Sequence, residues 1–267
     1  DTASYANVRR FLRQGSLPPP DAVRIEEMIN YFSYRYPSPE GAHPFAVHVE
    51  MAGCPWTPEH RLARIGIKGV EVAMDDPPAR NLVFLLDVSG SMRDHNKLPL
   101  LREAMKLLAR KLTGADRVGI VAYNNQARIV LDSTTCDNKG TVLGAIDALE
   151  AGGSTNGAAG IQMAYDIASA NFVSGGVNRV ILATDGDFNV GITERQALIE
   201  LIEDRAKSKV FITVLGFGTG NLKDANLEAL ADKGNGNYHY IDSYSEAERV
   251  LVDQMGATLV TIAKDVK

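Results

Sequence analysis

Three short segments carry oxygen-bearing side chains at spacings that suit a metal ion. The stretch "NLVFLLDVSGSM" (81–92) ends in Asp87, Ser89 and Ser91 on alternate positions, "AGGSTNGAAG" (151–160) holds Thr155, and "ATDGDFNVG" (183–191) holds Asp185. Hydroxyls and carboxylates are hard ligands. They suit Mg2+, Mn2+ or Ca2+, and the lack of imidazole or thiolate in the set argues against zinc. Alternation lets an extended turn aim the three oxygens of Asp-x-Ser-x-Ser at one point, with Gly90 easing the bend.

Taken alone, Asp-x-Ser-x-Ser is a weak motif, expected by chance in roughly one chain in ten of this length. Alone it reads first as an ordinary Asx or Ser turn capping a helix. Its position after a buried strand, with "GGST" before a helix and "TDG" after a second buried strand, favours the metal. Neighbouring candidates read differently. Asp187 and Asn189 suit outer hydrogen-bond partners, although loop Asp and Asn more often satisfy turn backbone. Arg93, Asp94, His95 and Lys97 are rim positions read chiefly as solvated. His43, His48, His60 and His239 lack metal-ligand spacing, and Trp56 reads as a packing anchor. "GFGTGN" (216–221) has a phosphate-loop look, yet neither GxGxxG after the strand nor GxxxxGK[ST] is present, so no nucleotide site is expected.

The elements that must position these residues follow from periodicity. From Arg80 onward, apolar strand-like runs ("NLVFLLD", "DRVGIVAYN", "ARIVLDS", "NRVILATD", "VFITVLGFG", "NYHYID") alternate with amphipathic helical runs. The helices are expected at about 97–112, 141–149, 156–172, 193–207, 222–233 and 245–263. This predicts an α/β, Rossmann-like fold: a mostly parallel sheet with helices on both faces. Only "NNQ" separates the second and third strands, which predicts an antiparallel edge hairpin. In such sheets ligands sit beyond the carboxyl ends of the strands, where the three loops gather. Residues 1–79 differ in texture. Two helical stretches, a Tyr/Pro-rich linker and two alternating strands ("FAVHVEM", "RLARIGIKGVEV") predict a smaller N-terminal α+β segment. Two strands make no independent sheet, so they are expected to pack on the rest of the chain or to pair with a segment beyond Lys267. The expected division is therefore 1–79 and 80–267.

On these motifs the segment from about Arg80 to Ala263 resembles the von Willebrand factor type A domain family, whose metal-ion-dependent adhesion site has this three-loop form. Its pattern falls on Asp87, Ser89, Ser91, Thr155 and Asp185 with no member missing. The stretch "SYANVRRFLRQGSLPPPDAVRIEEMINYF" is similar to an N-terminal extension of a bacterial subgroup associated with the cell envelope. The resemblance implies direct coordination of Mg2+ by the two serines and, in some conformations, Thr155, with both aspartates acting through bound water. A cation held by neutral hydroxyls keeps most of its charge, and an Asp or Glu of a partner protein would complete its shell. It further implies a periplasmic or extracellular envelope location. In such domains the final helix can shift as the Thr loop moves onto the metal.

Composition sets outer bounds. The 267 residues, 45% hydrophobic and 23% charged, suffice for a sizeable core. A net charge of -5 and the absence of a Lys/Arg cluster argue against nucleic acid, and no apolar run is long enough to span a bilayer. Cys54 and Cys136 leave one bridge or two buried thiols open. Asp1 in place of Met and the lack of a stop signal near Lys267 suggest a fragment or processed form. The competing function is a Mg2+-dependent hydrolase or phosphotransferase with Asp87 or Ser89 as nucleophile. No His, Lys or Cys in the three loops is available as a general base, so no catalytic residue is assigned and a non-enzymatic binding module is expected.

Overall fold

The computed structural model describes residues 1–41, 43–70, 77–155, 157–186, 192–218 and 224–253, without the side chains of 192–195 and 224. A six-stranded sheet runs in the order β5-β4-β3-β6-β7-β8, built from β3 (Arg80–Asp87), β4 (Arg117–Tyr123), β5 (Ala127–Thr135), β6 (Val177–Thr184), β7 (Phe211–Phe217) and β8 (Tyr238–Ile241). All neighbours are parallel except β4 and β5, the expected edge hairpin. Every residue of β3, β6, β7 and β8 is buried. Helices on both faces explain why these strands read as unbroken apolar runs rather than alternating ones.

The helices of this unit are α3 (Leu98–Lys111), α4 (Lys139–Asp147), α5 (Ala158–Ala170), α6 (Ile192–Lys207), α7 (Asp224–Lys233) and α8 (Tyr244–Glu248). On α3, Leu98, Leu101, Ala104, Met105, Leu108 and Ala109 are buried, the spacing of one helical face. α5 approaches the sheet closely at Gly160, where a Cβ would stand 2.9 Å from Leu85 and 3.3 Å from Tyr123. The last helix departs from expectation. α8 gives way after five residues to a π-type turn over Arg249–Asp253, and the remainder of the expected 245–263 helix lies outside the described residues.

β3 is the switch point of the sheet. The chain leaves it for β4 on one side and returns through α5 to β6 on the other. Loops after β3 and β6 therefore emerge side by side at one rim, where a parallel sheet opens a crevice.

The expected boundary at 79/80 does not coincide with the compact units. Asp1–Tyr31 groups with the sheet and its helices, whereas Phe32–Pro77 groups apart. Two helices, α1 (Ala3–Arg13) and α2 (Ile25–Asn30), bring residues 1–31 onto β8 and α8. Ala3 and Ala6 are buried in the same core cluster as Tyr238 and Tyr240. Arg9 clasps Asp242 through Nη2 at 2.6 Å and Nε at 2.9 Å, and reaches Glu246 at 3.0 Å. Tyr31 stacks on Tyr5 with ring centroids 4.0 Å apart and donates to Glu246 at 2.8 Å. The buried face of α1, with Ala3, Ser4, Ala6, Asn7, Val8 and Arg10, mixes apolar and polar side chains, and nothing in its pattern says which unit it packs on.

In the second unit, β1 (Phe45–Gly53) pairs antiparallel with β2 (Arg61–Gly69). Val47 opposes Ile67, Val49 opposes Ile65 and Met51 opposes Ala63, and the large apolar members of this row are exposed. The other face carries Tyr36, which stacks on His48 with centroids 5.4 Å apart and fills the space over Gly66. The residues expected to pair with this hairpin beyond Lys267 lie outside the chain, and 254–267 lie outside the described residues.

Candidate metal centre

The rim at the carboxyl ends of β3 and β6 brings four of the five expected ligands into one hydrogen-bonded group. Asp87, the last residue of β3, accepts the Ser89 backbone N–H at 2.9 Å, an Asx-type turn that swings the chain outward. A short 3-10 turn over Gly90–Arg93 then sets the Ser89 and Ser91 hydroxyls 3.0 Å apart. Ser89 is buried and Ser91 exposed, so the pair leads from the interior to solvent. Asp185, one residue past β6, is buried. Two hydroxyl donors, Thr184 at 3.1 Å and Tyr123 at 3.4 Å, hold Asp87 Oδ2 from behind.

The fifth residue rides on a loop pinned to the first. Gly152 donates to the Val88 carbonyl at 2.8 Å, and Gly90 donates to the Gly153 carbonyl at 2.9 Å. Gly153 holds φ +84, and a Cβ there would collide with Asn125 at 2.4 Å, so both space and backbone demand glycine. Asn125 in turn accepts from Ser154 through its backbone N–H and its hydroxyl. Thr155 follows, half-buried on this pinned loop. Asp187 and Asn189 lie outside the described residues. Arg93, Asp94 and His95 are exposed.

Lys97 is a correction. Expected to be a solvated rim residue, it is buried, and its ammonium donates to Asp185 Oδ2 at 2.9 Å and to the Ser91 carbonyl at 3.0 Å. Its stem crosses Gly218, where a Cβ would meet Lys97 Cε at 2.3 Å. The glycine of "GFGTGN" thus makes room for a lysine rather than a phosphate. Sequence spacing could not find this contact, because it depends on the turn over 90–93 folding the start of α3 back across the rim.

Electrostatics at the rim are set by burial and by two neighbouring carboxylates. Burial raises the Asp87 carboxyl above its ordinary value, Ser89 and Thr184 hydrogen bonds pull it down, and Asp185 raises it further. Burial, then the Asp87 charge, pushes the Tyr123 hydroxyl well above its ordinary value, which keeps it a donor. Carboxylates crowded in this way gain most from positive charge. The donor set fits Mg2+ in kind and in the spacing of the serine pair, since adjacent oxygens held about 2.0–2.1 Å from an octahedral ion lie about 3 Å apart. Lys97 Nζ is itself a cation drawn to this place.

The comparisons with known proteins bear on the same segment. Residues 81–254 match the model of the von Willebrand factor type A domain, and residues 1–64 match a second model described as von Willebrand factor. The chain belongs to the von Willebrand factor type A domain family. YfbK of Escherichia coli (strain K12), an uncharacterized protein, is 45% identical over all of this chain and 48% of its own length. The uncharacterized protein sll0103 of Synechocystis sp. is 31% identical over 73% of this chain and 45% of its own. The chain thus spans about half the length of these curated relatives. Among solved structures, a von Willebrand factor type A protein from Catenulispora acidiphila aligns with TM-score 0.59 at 18% identity, covering 80% of this chain and 49% of that one. Such a likeness speaks for the fold alone. Members of the family often mediate protein–protein interactions.

Among the described residues one other group of carboxylates converges, Asp1, Glu27 and Glu228, within 4.8 Å of one another. Arg24 sits among them, 2.7 Å from Glu27 and 3.4 Å from Glu228, and Asp1 accepts the Tyr238 N–H at 2.8 Å. Its charge is already answered from within. Cys54 and Cys136 are both free and buried.

Proposed function

We propose that this chain is a divalent-cation-dependent protein-binding module of the bacterial cell envelope. Mg2+, or Mn2+ or Ca2+ in its place, is held by Ser89, Ser91 and Thr155 with Asp87 and Asp185 behind them, and an Asp or Glu of a partner protein completes the shell. One observation carries the reading: paired serine hydroxyls at ligand spacing in front of two buried carboxylates, with the outer serine open to solvent. Hydroxyl ligands leave the ion electrophilic toward an outside carboxylate. The envelope assignment rests on the resemblance of the N-terminal extension.

A hydrolase reading needs a base that can take a proton from Ser89 or from water. Among the described residues of the rim Lys97 and His95 are of the right type: the Lys97 ammonium faces a carboxylate and a carbonyl rather than a serine hydroxyl, and His95 is exposed, while the Ser89 hydroxyl is paired with Ser91. Geometry therefore favours binding over turnover. Pull-down from source-cell extract with and without EDTA, repeated with Asp185→Ala, is the test. A partner retained by the native chain and lost in EDTA and in the variant supports the proposal. A partner retained equally in all three overturns it, as does metal-dependent phosphoester cleavage that Ser89→Ala abolishes.

A further inference from the structure

The lysine at the rim alters the charge balance on which the proposed site would work. Asp87 and Asp185 are buried carboxylates and Lys97 is a buried ammonium whose Nζ lies 2.9 Å from Asp185. Counting formal charges, the three side chains sum to -1. A divalent ion takes the site to +1, and one carboxylate from outside returns it to neutrality. Without Lys97 the same count runs from -2 to 0, then to -1 when the acid arrives. Lysine thus disfavours the ion and favours the ion together with an acid.

We infer that Lys97 is an internal counter-cation that lowers affinity for the metal alone and makes metal and acidic ligand bind cooperatively. The inference rests on the proposed metal site. Two features of the chain fit this role. The stem is held in a slot that Gly218 alone allows, so the ammonium is positioned rather than free to swing into water. The Ser91 carbonyl, on the same turn as a proposed ligand, shares its proton donors. A unit charge within ion-pair distance of a shared carboxylate acts on a divalent ion across a few ångströms of low-dielectric medium, where its effect is large.

The test is calorimetric titration of the full chain with Mn2+, in chloride and in acetate at matched ionic strength, for the native chain, Lys97→Met, Lys97→Arg and Ser89→Ala. Methionine keeps the stem and removes the charge. The expected result is that Lys97→Met binds Mn2+ about tenfold or more tightly than the native chain in chloride. It should lose most of the tightening that acetate confers on the native chain, while Lys97→Arg keeps it. Thermal melts without metal verify folding, and Lys97→Gln substitutes if the methionine variant unfolds. If the native chain binds Mn2+, Ser89→Ala does not, and the Lys97 variants match the native chain in both salts, the lysine inference falls and the metal site stands. If the native chain and Ser89→Ala are equally silent, the metal site itself fails.

Discussion

At the scale of single residues, the proposed ligands could be picked out because their motif is local. Asp87, Ser89 and Ser91 lie within five positions, and an extended turn needs no knowledge of the rest of the fold to aim them together. Lys97 and Tyr123 were not legible, since each reaches the rim through the path of another element. The Lys97–Asp185 pair also yields a stability prediction. Removing one member of a buried pair strands the other charge, so Asp185→Ala should destabilise the metal-free chain by about 3 kcal/mol. Asp185→Ala combined with Lys97→Met should cost distinctly less than the aspartate change alone. Urea unfolding of the two variants and the native chain closes the cycle. On the ligand side, Ser89→Ala should leave the metal-free unfolding free energy within about 1 kcal/mol of the native value, because it deletes a single hydroxyl contact. It should nonetheless abolish the rise in melting temperature on adding Mg2+ expected of a ligand that binds only the folded chain.

Among elements, the strands and most of the helices followed from hydrophobic period, and the antiparallel β4–β5 hairpin followed from a connection too short for a crossover, whereas the order of the strands in the sheet was not foreseen. What periodicity could not supply was the way the Thr155 loop is fastened. That fastening is made of backbone: Gly90 N–H to the Gly153 carbonyl, and Gly152 N–H to the Val88 carbonyl. Gly153→Ala would meet both a left-handed backbone and the Asn125 side chain. It should cost about 2 kcal/mol or more and weaken Mg2+ binding, while Gly152→Ala, with open space around its Cβ position, should be nearly silent. Parallel urea and calorimetric titrations of the two glycine variants decide it. The π-type turn over Arg249–Asp253 was also illegible, because the sequence keeps a helical period where the backbone widens.

Over the whole molecule, the division into compact units is where sequence and structure part most. Residues 1–31 complete the β8 side of the sheet unit rather than standing beside it. Deleting them would bare Tyr238, Tyr240 and His239, all buried, so the truncated chain should melt well below the full one or aggregate on expression. His239 adds a pH dependence to the same region. Burial, with further contributions from the chain's amino terminus, Arg249 and Arg179, pushes its imidazole from the ordinary 6.5 down to about 3. Folding therefore excludes a proton that the unfolded chain accepts. Stability is intact above the unfolded value and is lost as pH falls from about 6.5 toward about 3. Unfolding free energies from urea titration at neutral and mildly acidic pH should differ by about 2 kcal/mol in the native chain, and by much less in His239→Gln.

The six-stranded sheet ends on one side in a four-residue strand and on the other in β5, whose register with β4 slips twice near Ile120. Neither margin of this sheet is a long flat ribbon onto which a foreign main chain could zip, so it resists growth into polymers. Whatever this sheet meets it must recognise end-on, through side chains on a small loop surface. Specificity is then readily retuned by exchanging a few loop residues while the strands beneath stay fixed.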